Sequence, residues 1–250
     1  LAEGMELLQM RDGGVQTQQK NYYTQQLGLR LEPIKDWTIN IDGNMRTHTN
    51  NQHWAVLPVY AHDADGAPYA ISWDGGASYS PGASRVMESR YIEDYFTTNF
   101  YTDYAKTIGD HYFKVMVGFN AELTKYDTMS GQGDKLISAE TPYLGQTTSE
   151  QKVSGGRAEN AVAGFFGRIN YNYKERYMIE LNGRYDGSSR FVGDKRWGFF
   201  PSVSVGWNLA REEFVGDLSE LFSTLKVRGS WGQLGNTDTQ DAWYPFYQTM

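Results

Sequence analysis

Residues able to do covalent or metal chemistry are scattered through this chain. Its four histidines, His48, His53, His62 and His111, share no spacing that would bring two of them to one metal ion. Cysteine is absent, which removes thiolate metal sites, disulfide scaffolds and thiol nucleophiles together. Asp63-Ala64-Asp65-Gly66 opens like a calcium loop, with oxygen ligands at alternate positions. Ser72 stands where that loop needs its closing Glu, so the segment reads as a solvated turn. Glu212-Glu213 and Glu140 are acidic, but no pattern pairs them as general acid and base. No nucleophile elbow or phosphate loop occurs, and Gly155-Gly156 reads as a plain loop. The sequence therefore predicts a non-enzyme with no catalytic residues, no metal site and no cofactor.

Binding chemistry is better represented. The stretch from Thr47 to Arg90 holds His53, Trp54, Tyr60, His62, Tyr69, Trp73 and Tyr79. Aromatic side chains combine apolar area with a polar tip. Rings of this kind could stack on sugars, grip a peptide, pack on a partner protein or form a small core of their own. Basic residues form no stripe and the net charge is -7, so a nucleic-acid partner is not expected.

The elements that would carry these residues are strands. Helical periodicity is weak almost everywhere, while period-2 alternation recurs. Tyr177, Ile179, Leu181, Gly183 and Tyr185 alternate with Met178, Glu180, Asn182 and Arg184. Successive side chains of a strand point to opposite faces, so one face here is oily and the other mostly wet. Phe165, Gly167, Ile169, Tyr171 and Tyr173 likewise oppose Arg168, Asn170 and Asn172. Trp197, Phe199, Val203, Val205, Trp207 and Leu209 oppose Ser202, Ser204 and Asn208. Leu225, Val227 and Trp231 oppose Lys226, Arg228 and Ser230. Trp37, Ile39, Ile41 and Met45 oppose Thr38, Asn40, Asp42, Asn44 and Arg46. Phe113, Val115, Val117, Phe119 and Leu123 oppose Lys114, Asn120 and Glu122. Two noisier strands lie near Tyr22 to Leu31 and Ile92 to Tyr104.

That makes about eight strands, each near or above the ~9–11 residues a tilted membrane strand needs. No segment approaches the roughly 20 apolar residues of a membrane helix. Short and long connections alternate. Glu32 to Asp36, Thr107 to Asp110 and Lys174 to Arg176 are tight turns. Thr47 to Arg90 and Asp127 to Arg157 are expected as long loops, and Asp186 to Arg196 as an intermediate one. Arg211 to Thr224 departs from the alternation, with one helical turn expected at Ser219 to Leu221. Bacterial outer-membrane barrels show this alternation, with short turns facing the periplasm and long loops facing outside. The 18 Tyr, 12 Phe and 7 Trp fit aromatic girdles at both membrane interfaces. Tyr171, Tyr173, Tyr177, Trp207, Trp37 and Tyr112 fall near the short turns, and Tyr185, Trp197 and Trp231 near the other end. The fold expected is all-β, a transmembrane antiparallel β-barrel segment. A soluble β-sandwich shares the alternation of faces but does not explain the alternation of loop lengths.

Four linked motifs sharpen this. They are Gly167-Arg168-Ile169-Asn170-Tyr171-Asn172-Tyr173, Arg184-Tyr185-Asp186-Gly187-Ser188-Ser189-Arg190-Phe191, Arg196-Trp197-Gly198-Phe199-Phe200-Pro201-Ser202-Val203-Ser204 and Gly232-Gln233-Leu234-Gly235-Asn236. In this order they resemble the SusC/RagA family of TonB-dependent transporters, outer-membrane proteins of Bacteroidetes. Residues 1 to 157 fit the architecture but carry no such motif.

The resemblance implies a larger barrel of the 22-stranded type, whose lumen holds a plug domain. It also implies a SusD-like surface lipoprotein as a lid, energy supplied through TonB, and uptake of oligosaccharides or peptides. On this reading residues 1–250 are part of one barrel domain embedded in outer-membrane lipid, with plug and signal peptide outside the chain. The chain opens at Leu1 in mid-pattern and ends at Met250, as expected of part of a longer protein. Lumen-facing candidates are Arg168, Asn170, Asn172, Glu180, Asn182 and Arg184, with Lys226 and Arg228. Candidate solute or lid contacts are Trp54, Tyr60, Tyr69, Trp73 and Arg190. For the segment Asp186 to Phe191, a contact with plug, lid or solute stands beside plain turn geometry, since Asp and Gly both favour turns. A soluble glycan-binding β-domain and a passive porin are the competing readings.

Overall fold

The computed structural model describes residues 5–71, 82–212 and 224–236. Trp73, Tyr79 and the helical turn expected at Ser219 to Leu221 lie outside the described residues. Among the described residues a short helix α1 (Met5–Asp12) precedes ten strands: β1 (Gln16–Ile34), β2 (Trp37–Val56), β3 (Val59–His62), β4 (Pro68–Ile71), β5 (Arg85–Ile108), β6 (His111–Asp134), β7 (Lys152–Tyr173), β8 (Tyr177–Ser188), β9 (Trp197–Asn208) and β10 (Lys226–Gly232). All eight strands expected from the sequence are present. They form one sheet in the order β1-β2-β5-β6-β7-β8-β9-β10, while β3 and β4 pair separately as a hairpin. The order follows the chain, as a meander of successive hairpins does.

Three connections are as tight as expected. Between β1 and β2 only Lys35 and Asp36 intervene, and between β5 and β6 only Gly109 and Asp110. Gly109 has φ +59°, a left-handed conformation that glycine adopts without steric cost. Between β7 and β8, Lys174 and Glu175 have φ 51° and 56°, and the Arg176 N–H donates to Tyr173 O at 2.9 Å. Two positive φ values inside such a bond are the signature of the type I′ turn, whose twist matches that of paired strands.

The long connections are corrected. Thr47 to Arg90 is not one loop, because β2 continues to Val56 and β5 begins at Arg85. Asp127 to Arg157 shrinks in the same way, since β6 runs to Asp134 and β7 starts at Lys152. In these extensions polar residues enter both faces, so the oily-wet alternation fades from the sequence. The backbone ladder does not need it, because N–H and C=O groups pair regardless of side chain. Trp54 is therefore a strand residue. Asp186, Gly187 and Ser188 also belong to β8, so the turn there starts three residues later than expected. Leu209 leaves β9 and opens a 3₁₀ turn, Leu209–Arg211.

The chain divides into two compact units. One comprises Leu1–Tyr23, Thr47–Asp94 and Lys125–Ala158. It holds a small apolar core of Ala55, Val56, Val59, Ile71 and Val86. The segment after α1 is clamped to it, with Leu57 N–H donating to Gly13 O and Ala55 N–H to Val15 O, both at 2.9 Å. Gly14 sits in that clamp at φ +106°, and a Cβ there would collide with the Ala55 carbonyl.

The other unit comprises Thr24–Arg46, Tyr95–Thr124 and Glu159–Met250. Its sheet has two unlike faces, fixed by register. Tyr177 pairs with both Tyr173 and Trp207, Leu181 with Ile169 and Val203, and Tyr185 with Phe165 and Phe199. Trp207 then pairs with Val227, and Val203 with Trp231. The odd-numbered positions of β7 to β10 thus make one continuous apolar face. It is uncovered: Leu181 is 46% exposed, Phe199 61% and Val205 51%. A water-soluble monomer rarely presents so much contiguous apolar surface.

Candidate functional site

The even-numbered face of β7 to β10 is polar. Arg168, Asn182, Ser202 and Gly232 are cross-strand neighbours in one row, and Asn170, Glu180, Ser204 and Ser230 in the next. Arg168 Nε donates to Asn182 Oδ1 at 2.6 Å. Asn182 Nδ2 in turn donates to Glu180 Oε1 at 2.9 Å and to Ser202 Oγ at 3.3 Å. Arg184 grips the Asp186 carboxylate with two N–H groups, at 3.0 and 2.9 Å, while its guanidinium lies 5.4 Å from the centre of the Phe166 ring. A cavity of about 1030 Å³ opens over this face. Four of the eight residues assigned to the lumen, Arg168, Glu180, Asn182 and Arg184, line it together. Asn170 and Asn172 line a smaller hollow of about 290 Å³ with Glu180, Lys226 and Arg228. Arg190 is half-buried and does not line the larger cavity, whereas Lys195 and Arg196 do. Those two were missed because the segment holding them read as a plain loop. Phe166 and Phe200 were missed because an even-numbered aromatic breaks the oily-wet pattern.

The four sequence motifs prove to be parts of one assembly. Gly187 pairs with Trp197 across β8 and β9, and a Cβ on it would lie 2.7 Å from the indole ring. Gly164 lies under the Asp186 carboxylate. Gly235 approaches the Phe200 ring so closely that a Cβ would come within 2.4 Å, and Gln233 N–H donates to Pro201 O at 3.0 Å. Gly187 and Gly235 therefore make room for rings of the third motif, Trp197 and Phe200. Asp186 bonds Arg184 through its side chain rather than shaping a turn.

Near the short turns, Tyr173 stacks on Tyr177 and Tyr177 on Trp207, with ring centres 6.4 and 6.5 Å apart. Glu212, just beyond β9, joins them. It accepts from Tyr177 Oη at 2.7 Å and from Trp207 Nε1 at 2.9 Å, with Arg176 Nη1 3.4 Å away. The hydroxyl and then the indole N–H, with a smaller push from Arg176, hold its carboxyl below the usual range.

The first unit has polar and aromatic features of its own. Trp54 lines a hollow of about 370 Å³ with Gln16, Gln52, Ser89 and Ser130. Tyr60 and Tyr69 lie on the β3–β4 hairpin, where Tyr60 pairs with Ala70 and Ala61 with Tyr69. That register puts the two tyrosines on opposite hairpin faces, so they do not make one platform. At Asp63, the N–H groups of Asp65 and Ala67 donate to Oδ1 at 3.0 and 2.8 Å, a turn closed on its own carboxylate as expected. Among the described residues no three His, Cys, Asp or Glu side chains gather as a metal site. A row of rings on four strands, Tyr22, His48, Tyr91 and Tyr126, was not foreseen. Each strand contributes one member, and only register reveals the row.

Comparison with known proteins adds family context. A family model described as TonB dependent receptor-like, beta-barrel, matches residues 7–249. The chain is similar to TonB-dependent receptor SusC of Bacteroides thetaiotaomicron, with 33% identity over 184 residues, 72% of this chain and 17% of that protein. It is also similar to TonB-dependent receptor P26 of Formosa agariphila, with 45% identity over 75 residues, 30% of this chain and 8% of that one. The chain thus spans less than a fifth of the length of these curated relatives. Among solved structures, the RagAB peptide importer in its open-open state matches with a TM-score of 0.75 at 18% identity, covering 93% of this chain and 26% of that one. At that identity the likeness concerns the fold.

Proposed function

The chain belongs to the TonB-dependent receptor β-barrel family and to the outer membrane, and on that premise we propose that it walls an importer of oligosaccharides or peptides. In this reading a SusD-like surface lipoprotein covers the mouth of the barrel and TonB supplies the energy. The odd-numbered face of β7 to β10 meets lipid, and the even-numbered face meets the lumen. The observation that carries the assignment is the division of that sheet. One face is apolar and uncovered, while the other is a hydrogen-bonded polar network over a cavity of about 1030 Å³. Lipid tolerates no unpaired polar backbone and penalises charge, so Arg168, Glu180 and Arg184 belong on the water-filled side. Similarity to SusC supports the paired lipoprotein, and likeness to the RagAB peptide importer keeps peptides beside oligosaccharides as cargo.

No covalent step is asked of the wall. Its polar face offers donors and acceptors already held in place by one another, so a passing solute can exchange bonds without trapping. A soluble glycan-binding domain is disfavoured by the uncovered apolar face. A passive porin is disfavoured by the family.

Transport is tested by uptake. Cells carrying the full-length protein are given labelled oligosaccharide and peptide mixtures, with and without tonB. Uptake of one mixture that stops without TonB, and a SusD-like lipoprotein recovered with the tagged protein from detergent extracts, are the expected results. Uptake that continues without TonB would make the protein a porin.

A further inference from the structure

We propose that the polar face of the first unit carries a saccharide-binding track, running from Trp54 to the row Tyr22–His48–Tyr91–Tyr126. The proposal rests on the transport reading and names the cargo class that this part of the wall recognises.

Four strands adjacent in the sheet, β1, β2, β5 and β6, each supply one ring. Tyr22 and His48 are parallel within 3°, with centres 4.3 Å apart. Paired strands lie about 4.8 Å apart, so these two rings stand on edge like neighbouring pages and form a ridge. Tyr91 follows at 5.7 Å from His48, turned by 66°, and Tyr126 lies 6.0 Å further on. The Tyr91 hydroxyl donates to Glu93 Oε2 at 2.9 Å, two residues along its own strand. That tether lays the Tyr91 ring along β5, so it offers a face where Tyr22 and His48 offer edges. A ridge beside a flat ring is a corner.

Alternation along β2 places His48, Asn50, Gln52 and Trp54 on one side of the strand. The six residue-to-residue steps from His48 to Trp54 span about 20 Å. At the far end Trp54 lines the hollow of about 370 Å³ with Gln16, Gln52 and Ser130, and with Glu88 and Lys152. Between the two aromatic ends Asn50, Gln52 and Ser89 are neutral, while Lys20, two residues from Tyr22 on β1, puts an ammonium on the same side. Gln52 accepts from Ser89 Oγ at 3.5 Å, and Asn50 Oδ1 is buried without a partner among the described residues.

A pyranose ring has an apolar face of C–H groups and a rim of hydroxyls that both donate and accept. Aromatic rings satisfy the face, and amides and hydroxyls satisfy the rim. Two aromatic stations about 20 Å apart, joined by amides and a hydroxyl, suit a chain of several sugars.

The test uses purified full-length protein in detergent, on an array of neutral and acidic oligosaccharides. The best-retained oligosaccharide is then titrated by calorimetry against wild type, Trp54→Ala, Tyr91→Ala, Trp54→Phe and Tyr91→Phe. Heat-modifiable gel mobility verifies that each variant is a folded barrel. Wild type is expected to retain oligosaccharides. Each Ala variant is expected to weaken binding about tenfold or more, and each Phe variant by no more than about threefold. A mixed peptide pool is expected not to compete. No oligosaccharide retained by wild type, equal affinity in folded Ala variants, or displacement by peptides would each overturn the track. Such a failure alongside intact TonB-dependent uptake leaves the transport reading standing, whereas loss of TonB dependence removes the reading itself.

Discussion

Gly187 shows how tightly single residues are specified in the motif cluster. Its cross-strand partner is Trp197, and any Cβ would sit 2.7 Å from the indole. Nothing else about the position forbids a side chain. Gly187→Ala should therefore cost about 1–3 kcal/mol through overpacking. Thermal unfolding of the detergent-solubilised protein should show a lowered midpoint, and an unchanged midpoint would mean that the ring can move aside freely. The motif was legible in the sequence as a string of residues, but its role was not. Asp186 and Gly187 suit turns, so the segment read as a loop. The structure gives them to β8, because what they accommodate comes from other strands. Tyr22, His48, Tyr91 and Tyr126 were illegible for a related reason, since nothing within one strand announces a row that crosses four.

Among the elements, the strands were legible where one face is oily and the other wet. β8 needed no correction at its start, and its register with β7 and β9 gathers the apolar residues foreseen from alternation. The same logic failed in the upper reaches of β2. Its odd positions change from Trp37, Ile39, Ile41 and Met45 to Thr47, Thr49, Asn51 and His53. In that second stretch Thr47 Oγ1 donates to Asp94 Oδ1 at 2.6 Å, and His53 Nδ1 lies 2.6 Å from Glu88 Oε1. These are contacts of a strand in water. At 20 residues, β2 is about twice the ~9–11 residues that cross a bilayer. An apolar face thus marks the membrane portion of a strand rather than its ends. The face assignment makes an asymmetric prediction. Leu181→Arg should destabilise by about 2–4 kcal/mol and depress assembly into the outer membrane. Asn170→Arg, facing Glu180 across the β7–β8 pair, should assemble normally. Equal yields of folded protein from both variants would show that the two faces are not distinguished by lipid.

At the scale of the whole molecule, the transport proposal assigns the apolar face to lipid and the polar face to solute. Family membership and the relatives' outer-membrane identity agree with the fold read from alternation and loop length. The cargo was not legible in the motifs, because they specify how strands and turns pack together rather than what passes over them. The most direct measurement is a nitroxide scan of β8 from Tyr177 to Tyr185 in the full-length protein, in a cysteine-free background and reconstituted in lipid. Collision with oxygen and with a water-soluble nickel chelate would be recorded at each position. The account predicts strict alternation, with oxygen favoured at Tyr177, Ile179, Leu181, Gly183 and Tyr185, and the chelate favoured at Met178, Glu180, Asn182 and Arg184. Chelate access at odd and even positions alike would contradict it, since both faces would then stand in water.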